Sequence, residues 1–160
     1  WNLQALWVLV TAGCGLAALT SAADKPPSEL WPFGFLVWVT GFAIEWVADN
    51  QKRAFRKQYG PERFVNIGLW SRSRHPNYFG EIVLWGGIAL MAIPMLSGWQ
   101  YLTLISPFFV YFLLARISGI PLLERKADRR WADNPDYQTY KRETPVLVPR
   151  VLTARYRPES

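Results

Sequence analysis

The sequence predicts an all-α integral membrane protein with about four transmembrane helices. Its 160 residues are 51% hydrophobic and 16% aromatic, and the charged residues are grouped in a few segments rather than spread along the chain. Ile82 to Ala115 contains no Asp, Glu, Lys or Arg, and Leu3 to Ala23 is uncharged as well. Because a helix needs about 20 apolar residues to cross a bilayer, such stretches are long enough to span it. The predicted spans are residues 3–22, 30–49, 78–96 and 101–122.

Aromatic residues support these span boundaries. Trp31, Trp46, Trp99 and Tyr101 lie near predicted span ends, where amphipathic rings favour the membrane–water interface. A tight turn at Ser97–Gln100 is predicted to join the third and fourth spans. The alternative fold is a soluble helical bundle with long core helices, although a soluble domain usually spreads its charges along the chain.

The distribution of basic residues predicts the orientation in the membrane. Of 18 Lys and Arg residues, seven lie in 52–74 and ten in 116–157, and with four spans both segments fall on the same side. The positive-inside tendency makes that side cytoplasmic. A basic face of this kind attracts anionic lipid or holds a phosphate group. No nucleic-acid-binding motif is present, so nucleic acid is not a predicted partner.

Residue content excludes several kinds of chemistry. The single cysteine, Cys14, rules out an internal disulfide, and the single histidine, His75, rules out a multi-histidine metal site, so no metal is predicted. Motifs of P-loops, soluble dinucleotide folds, serine hydrolases and zinc proteases are absent. Residues 1–150 are predicted to form one membrane domain and residues 151–160 a flexible tail. Since the chain enters a span directly after Trp1, we expect further spans to precede it in a longer protein.

A first group of polar residues follows the second predicted span. Glu45, Asp49, either Lys52 or Arg53, and Arg56 recur at helical spacing and form one stripe. The alternative is that Asp49 forms a solvated ion pair with Lys52 or Arg53 on the helix surface, worth about 0.2–0.5 kcal/mol. For the basic residues alone, this explanation is as good as a binding site. It does not explain Glu45, which lies at hydrocarbon depth, where an ionisable group usually faces a polar cavity. Glu45 and Asp49 are therefore predicted to line a site.

A second polar group begins the third predicted span. Pro76 suits the first turn of a helix, and the free N–H groups at a helix start attract anions. Asn77 and Glu81, four residues apart, share one face of that helix. The alternative is that the basic residues only reach toward the membrane surface and Asn77 caps the helix. Glu81 lies inside the span and needs a polar neighbour, which favours a site together with Arg72, Arg74 and His75.

A third polar group follows the last predicted span. Glu124 and Arg125 leave the membrane directly, and "DNPDYQTY" predicts a turn and then a short helix that displays Tyr137 and Tyr140. The alternative is that this tyrosine-rich segment lies on the bilayer surface. All three polar groups fall on the same side of the membrane at the same depth. We therefore predict one pocket that combines membrane carboxylates, an anion-binding helix start and a basic, aromatic lid.

Several stretches together resemble a known family. They are "LWSRSRHPNYFGE", the pattern D-x-x-K-x-x-x-R formed by Asp49, Lys52 and Arg56, and "PLLERKADRRW" followed by "DYQTYKRETPVLVP". Over about residues 45–149 the chain resembles bacterial membrane proteins related to steroid 5-alpha-reductases and sterol C14-reductases, and more distantly to isoprenylcysteine carboxyl methyltransferases. The resemblance implies an inner-membrane enzyme with its cofactor on the cytoplasmic side. In the reductases NADPH donates hydride to a carbon–carbon double bond of a lipid or steroid-like substrate, whereas the methyltransferases hold S-adenosylmethionine in the same region.

The resemblance also implies roles for individual residues. Asp49 and Arg56 correspond to cofactor contacts on the exiting helix, and Asn77 and Glu81 to residues beside the nicotinamide amide and its ribose. The chain departs from the animal steroid reductases at "RHP", and Glu124 stands where the reductases have a histidine, which is closer to the methyltransferases. The resemblance places Arg74, His75 and Tyr78 along the phosphate and ribose portion of the cofactor. Glu124 and Arg125 correspond to polar residues after the last span, and Tyr137 and Tyr140 to tyrosines that close the site.

Charge favours NADPH over S-adenosylmethionine as the cofactor. NADPH carries several negative charges and a ring amide, which suit arginines, a helix start and an Asn–Glu pair. S-adenosylmethionine carries a positive sulfonium and one carboxylate, so it needs fewer basic groups. No residue stands out as a proton donor, so no catalytic residue is predicted, and the chain is expected to be the cofactor-binding part of the enzyme. The alternative functions are an S-adenosylmethionine-dependent membrane methyltransferase and a membrane scaffold that binds lipid or a partner.

Overall fold

The computed structural model describes residues 2–21 and 28–150, with side chains from Ala5 onward. This part of the chain is all-helical, which confirms the predicted fold class. The predicted tail lies outside the described residues. The α-helices are α1 (Asn2–Ser21), α2 (Leu30–Tyr59), α3 (Pro76–Ala92), α4 (Ser106–Phe112), α5 (Ile120–Arg130) and α6 (Pro135–Glu143). Short 3₁₀ turns lie at Gly68–Ser71, Ile93–Met95 and Gly98–Ile105, and a π-helical turn at Leu113–Ile117.

Within residues 2–21 and 28–150, three helical segments are long and apolar enough to cross a membrane, namely Leu30–Tyr59, Pro76–Met95 and Gly98–Arg130. They contain the second and fourth predicted spans, and the third as far as Met95. The apolar part of α1, from Ala5 to Ser21, is shorter than these segments. Many large apolar side chains of α1 and α2 are exposed on the surface of the protein, as is normal for residues that face lipid.

The fourth predicted span is helical, but its hydrogen-bond pattern changes along its length. It begins at the predicted turn, where the N–H of Ser97 donates to Oε1 of Gln100 (2.9 Å) and Gly98 has a φ of 54°. A 3₁₀ segment, α4 and the π-helical turn follow in order. Pro107 and Pro121 each lie in the first turn of a helix, where a missing N–H is tolerated. The prolines therefore divide the span without ending it.

Helices α2 and α3 are antiparallel and touch backbone to backbone. Gly34 and Gly41 of α2 meet Gly80 and Gly87 of α3 at the contact. A Cβ at Gly80 would lie 2.6 Å from the backbone nitrogen of Glu45 and 2.7 Å from the carbonyl oxygen of Gly41. Small residues at such positions allow the close packing on which helix association in lipid depends. The contact brings Glu45 beside the first turns of α3.

Helix α1 packs against the opposite end of α3. Gln100 Nε2 donates to Oγ of Ser21 (2.6 Å), which ties the turn before the last span to the end of α1. The buried cluster between α1 and α3 consists of small side chains and one leucine: Cys14, Ala18, Ala89, Ala92 and Leu96. This apolar cluster lies away from the polar start of α3, so it supports the bundle without contributing to the polar region.

We expect Gly80→Ala to destabilise the protein, because the added methyl group meets the backbone of α2 rather than a flexible side chain. Overpacking at a tight contact costs about 1–3 kcal/mol of unfolding free energy. The measurement is the Tm of the purified protein in detergent. Gly86→Ala is the matched control, since a Cβ at Gly86 has no neighbouring atom within 4 Å. Equal Tm values for the two variants would contradict the backbone contact.

Candidate functional site

One face of α2 runs from the membrane into the polar region. Its apolar part is a column of stacked rings, Trp31, Phe35, Trp38 and Phe42, whose successive centroids lie 5.4, 5.8 and 5.6 Å apart. Alternating steps of four and three residues keep these rings on one face. The same steps continue to the polar residues Glu45, Asp49, Lys52 and Arg56. Helix α2 therefore joins an aromatic surface to a charged one without changing face.

The loop between α2 and α3 folds back onto α2. The N–H of Leu69 donates to Oε1 of Gln51 (2.9 Å), and the indole N–H of Trp70 donates to the carbonyl of Ala48 (2.9 Å). Gly68 permits this approach, because it has a φ of 55° and a Cβ there would lie 2.5 Å from the amide of Gln51. With Trp70 buried against α2, the residues that follow it are carried to the polar end of the helix.

The chain that follows α6 holds the residues just before α3. The hydroxyl of the buried Ser73 donates to the carbonyl of Leu147 (2.7 Å) and accepts from the N–H of His75 (3.2 Å). The backbone N–H of Arg74 donates to the carbonyl of Pro145 (2.9 Å). These bonds fix the directions in which the Arg74 and His75 side chains leave the backbone.

Glu124 of α5 is the centre of a buried ionic network. Its carboxylate oxygens lie 3.2 Å from Nη1 of Arg74 and 2.8 Å from Nε2 of His75. Nη1 of Arg74 also donates to the carbonyl of Lys141 in α6 (3.1 Å). The His75 ring stacks on Tyr78, with the ring centroids 5.8 Å apart. One carboxylate thus connects the loop, α3, α5 and α6.

Helix α6 closes the site from the polar side. The hydroxyl of Tyr137 donates to Asp128 (3.0 Å), Nζ of Lys141 lies 2.6 Å from the same oxygen, and the hydroxyl of Tyr140 donates to the carbonyl of Trp70 (2.7 Å). Burial and the neighbouring carboxylate of Asp128 raise the pKa of Tyr137, so its hydroxyl remains a donor. The predicted short helix is confirmed. Its tyrosines are only 3% and 4% exposed, so they face the protein and not a bilayer surface.

These elements enclose a cavity of about 260 Å³. One side is aromatic: Phe64 contacts Trp131, Tyr137 and Tyr140, with ring centroids 6.0, 5.5 and 5.3 Å away. Glu124 is the one carboxylate among the described lining residues. Six lining residues are basic, namely Lys52, Arg56, Arg63, Arg74, Lys126 and Arg130. This excess of positive charge favours an anionic ligand, and the rings favour one with a planar part.

The structure brings half of the predicted site residues into the cavity. Tyr78 lies next to it, because its ring stacks on that of His75, while Asn77 is half-buried in the first turn of α3. Arg125 is exposed, and its Nε donates to the carbonyl of Pro121 in its own helix (3.2 Å). The predicted residues that line the cavity are Arg56, Arg74, His75, Glu124, Tyr137 and Tyr140.

The predicted membrane carboxylates form a neighbouring group outside the cavity. Gly80 packs against the backbone of Glu45, so Glu81 lies near Glu45, and Asp49 follows Glu45 by one turn of α2. Tyr78 stacks on His75 and precedes Glu81 by three residues on α3, so it connects this group to the cavity. The contact between α2 and α3 is what brings the three carboxylates together.

Several lining residues were not among the predicted contacts. After Glu124, Ala127 and Trp131 follow at helical spacings of three and seven residues, so this pattern could have identified Trp131. Lys126 and Arg130 stand four residues apart but lie off that line, so spacing from Glu124 does not identify them. No local signal identifies Arg63 and Phe64, because they lie in an irregular loop whose path depends on its packing.

Comparison with known protein families identifies the chain. A family profile described as "Protein of unknown function (DUF1295)" matches residues 1–144. The chain belongs to the DUF1295 family. The matched part of this DUF1295 protein contains all six α-helices up to Glu143 and every described residue that lines the cavity.

One similar protein is the "Probable O-methyltransferase ustE" of Ustilaginoidea virens, which is 27% identical to this DUF1295 chain over 125 residues. These residues make up 74% of the present chain and 42% of the relative, so the chain spans less than half of the relative's length. No solved structure shows a significant match to the chain.

We expect Glu124→Gln to lower the unfolding free energy by about 1–3 kcal/mol, because it leaves the guanidinium of Arg74 without its carboxylate. The two side chains are only 10% and 19% exposed, so water compensates little for the loss. The measurement is the Tm in detergent. In the matched control Glu62→Gln, the lost partner of Arg130 is 82% exposed, and the expected change is below about 0.5 kcal/mol. A loss in the control as large as that in Glu124→Gln would contradict the structural role of Glu124.

Proposed function

We propose that this chain is the cofactor-binding part of a membrane-embedded, NADPH-dependent reductase that transfers hydride to a carbon–carbon double bond of a lipid or steroid-like substrate. The observation that carries the proposal is the charge of the cavity, which is lined by six Lys and Arg side chains and one carboxylate. NADPH carries a pyrophosphate and a 2′-phosphate, and both groups need charge-assisted hydrogen bonds of this kind. Membership of DUF1295 supports a membrane enzyme of the reductase or methyltransferase type, and the resemblance to steroid reductases favours the first.

The residues present fit a phosphorylated ligand. Nε of Arg74 is buried and has no hydrogen-bond partner in the described part of the chain, so it is a donor that the protein itself leaves unused. Among the described residues, Lys52, Arg56 and Lys126 form no ion pair with a carboxylate. Positive side chains around one cavity repel each other, and an anionic ligand relieves this repulsion. In the proposal, Lys52, Arg56 and Arg74 hold the pyrophosphate.

The carboxylates of α2 and α3 connect the proposed cofactor to the membrane. Carboxylates at membrane depth need a polar neighbour, and in the proposal Glu81, together with Asn77, receives the nicotinamide amide and its ribose. When bound, NADPH supplies the hydride, while the chain orients it and shields it from water. Glu45 and Asp49 continue the same face of α2 toward the aromatic column, which offers an apolar surface for a lipid-like substrate.

The proposal includes a cytoplasmic orientation of the cavity at a bacterial inner membrane. The end of α2, the start of α3 and α5 meet around the cavity, so its six basic residues lie at one end of the bundle. Basic residues that flank membrane spans favour the cytoplasmic side. The cofactor would then bind from the cytoplasm.

An S-adenosylmethionine-dependent membrane methyltransferase is the second candidate function. It is supported by the relative from Ustilaginoidea virens, which is named a probable O-methyltransferase. The carboxylates of Glu45, Asp49 and Glu81 suit a positive sulfonium, and Arg56 or Arg74 suits the carboxylate of such a ligand. Six basic lining residues match phosphates better than a single carboxylate, so the reductase is the first candidate.

Equilibrium binding to the full chain in detergent distinguishes these functions. We expect NADPH to bind with a Kd in roughly the micromolar range. Arg56→Ala is expected to weaken binding about tenfold or more, since a hydrogen bond to a charged group contributes about 1.5–3 kcal/mol. Arg53→Ala is the matched control, because Arg53 is exposed on the same helix and does not line the cavity.

S-adenosylmethionine is titrated in parallel with the same variants. If it binds and NADPH does not, the reductase proposal is overturned and the methyltransferase takes its place. Equal weakening by the two arginine variants would show that overall charge, and not the cavity, accounts for NADPH binding.

A further inference from the structure

Two arginine–aromatic pairs form the rim of the cavity. Arg63 precedes Phe64 in the loop after α2, Arg130 precedes Trp131 at the end of α5, and all four residues line the cavity. The rings of Phe64 and Trp131 meet edge to face, with centroids 6.0 Å apart. Glu62 joins the pairs, because its carbonyl accepts from the indole of Trp131 (2.8 Å) and its carboxylate from Nη2 of Arg130 (2.7 Å). Two segments that are far apart in the sequence thus form one small unit.

The positive charge of this rim is available to a ligand. The guanidinium of Arg63 lies 5.4 Å from the ring centroid of Tyr59 and forms no ion pair with a carboxylate in the described part of the chain. Arg130 pairs with Glu62, but the two side chains are 43% and 82% exposed. Such an exposed ion pair contributes little to stability. It orients the side chain of Arg130, and a more highly charged anion can replace Glu62 as the partner of Arg130.

A planar base with a phosphate beside it matches this rim. Aromatic rings and guanidinium planes both stack on bases, and a guanidinium binds two phosphate oxygens at once. In a nicotinamide dinucleotide, the ribose next to the adenine carries a 2′-phosphate in NADPH and a plain hydroxyl in NADH. The combination of a base with an adjacent dianionic phosphate therefore distinguishes the two cofactors.

Building on the proposed function, we infer that Arg63 and Arg130 bind the 2′-phosphate of NADPH while Phe64 and Trp131 hold the adenine. The rim then selects NADPH over NADH. Lys52 and Arg56 also line the cavity, and in this assignment they bind the pyrophosphate. Cofactor choice and pyrophosphate binding thus depend on different basic residues.

The test compares two pairs of ligands on the full chain in detergent: NADPH with NADH, and adenosine 2′,5′-bisphosphate with 5′-AMP. In the unchanged protein the 2′-phosphorylated member of each pair is expected to bind at least about tenfold more tightly. Arg63→Gln and Arg130→Gln are each expected to reduce this ratio to below about threefold and to leave NADH binding nearly unchanged. Arg129→Gln is the matched control, because Arg129 is an exposed neighbour of Arg130 outside the cavity lining.

Glu62→Gln provides a test in which both arginines are present. Since the variant removes the competing carboxylate from Arg130, it is expected to tighten the binding of adenosine 2′,5′-bisphosphate and leave that of 5′-AMP unchanged. Equal binding of NADPH and NADH to the unchanged protein would overturn the inference and leave the reductase proposal standing, as would a ratio that neither arginine variant changes. Failure of both dinucleotides to bind would overturn the reductase proposal and this inference together.

Discussion

The backbone contact between α2 and α3 is the constraint on which the rest of the structure depends. Apolar helices in lipid gain little from burying one apolar surface against another, so their association relies on close packing. Gly34, Gly41, Gly80 and Gly87 remove the side chains that would hold the two backbones apart. At this spacing Glu45 lies beside the first turns of α3, and the polar end of α2 reaches the loop that carries the buried network. A wider spacing would separate the membrane carboxylates and open one wall of the cavity.

Ion pairs with carboxylates explain how a cavity with so many basic residues is stable. Glu124 pairs with Arg74 where burial makes an unpaired charge costly, and it also lies within hydrogen-bond distance of His75. Asp128 of α5 similarly forms an ion pair with Lys141 and so holds α6 against α5. Arg56, Arg63, Lys126 and Arg130 are exposed to water, which screens their mutual repulsion. Most of the ligand attraction therefore comes from side chains that do not stabilise the fold. Arg74 serves both purposes, because its Nη1 pairs with Glu124 while its Nε has no hydrogen-bond partner in the described part of the chain.

Sequence patterns were most informative where a single physical rule dominated. The length of the apolar stretches predicted the membrane spans, and proline's fit to a first helical turn predicted the start of α3 at Pro76. The short helix displaying Tyr137 and Tyr140 followed from turn residues and local spacing. The last span was less predictable in detail. Its π-helical turn ends where Gly119 packs closely against Leu114, and this contact has no local sequence signature.

By itself the sequence determined the all-α membrane fold and the grouping of polar residues at the ends of the spans, because apolar length, proline position and charge grouping act within single helices. Only the tertiary structure decided which of those residues share the cavity. It brought Arg63 and Phe64 against Arg130 and Trp131, and it left Arg125 outside. The physical reason is that the inward face of α5 depends on hydrogen bonds and ring contacts with residues far away in the sequence, and such contacts have no local sequence pattern.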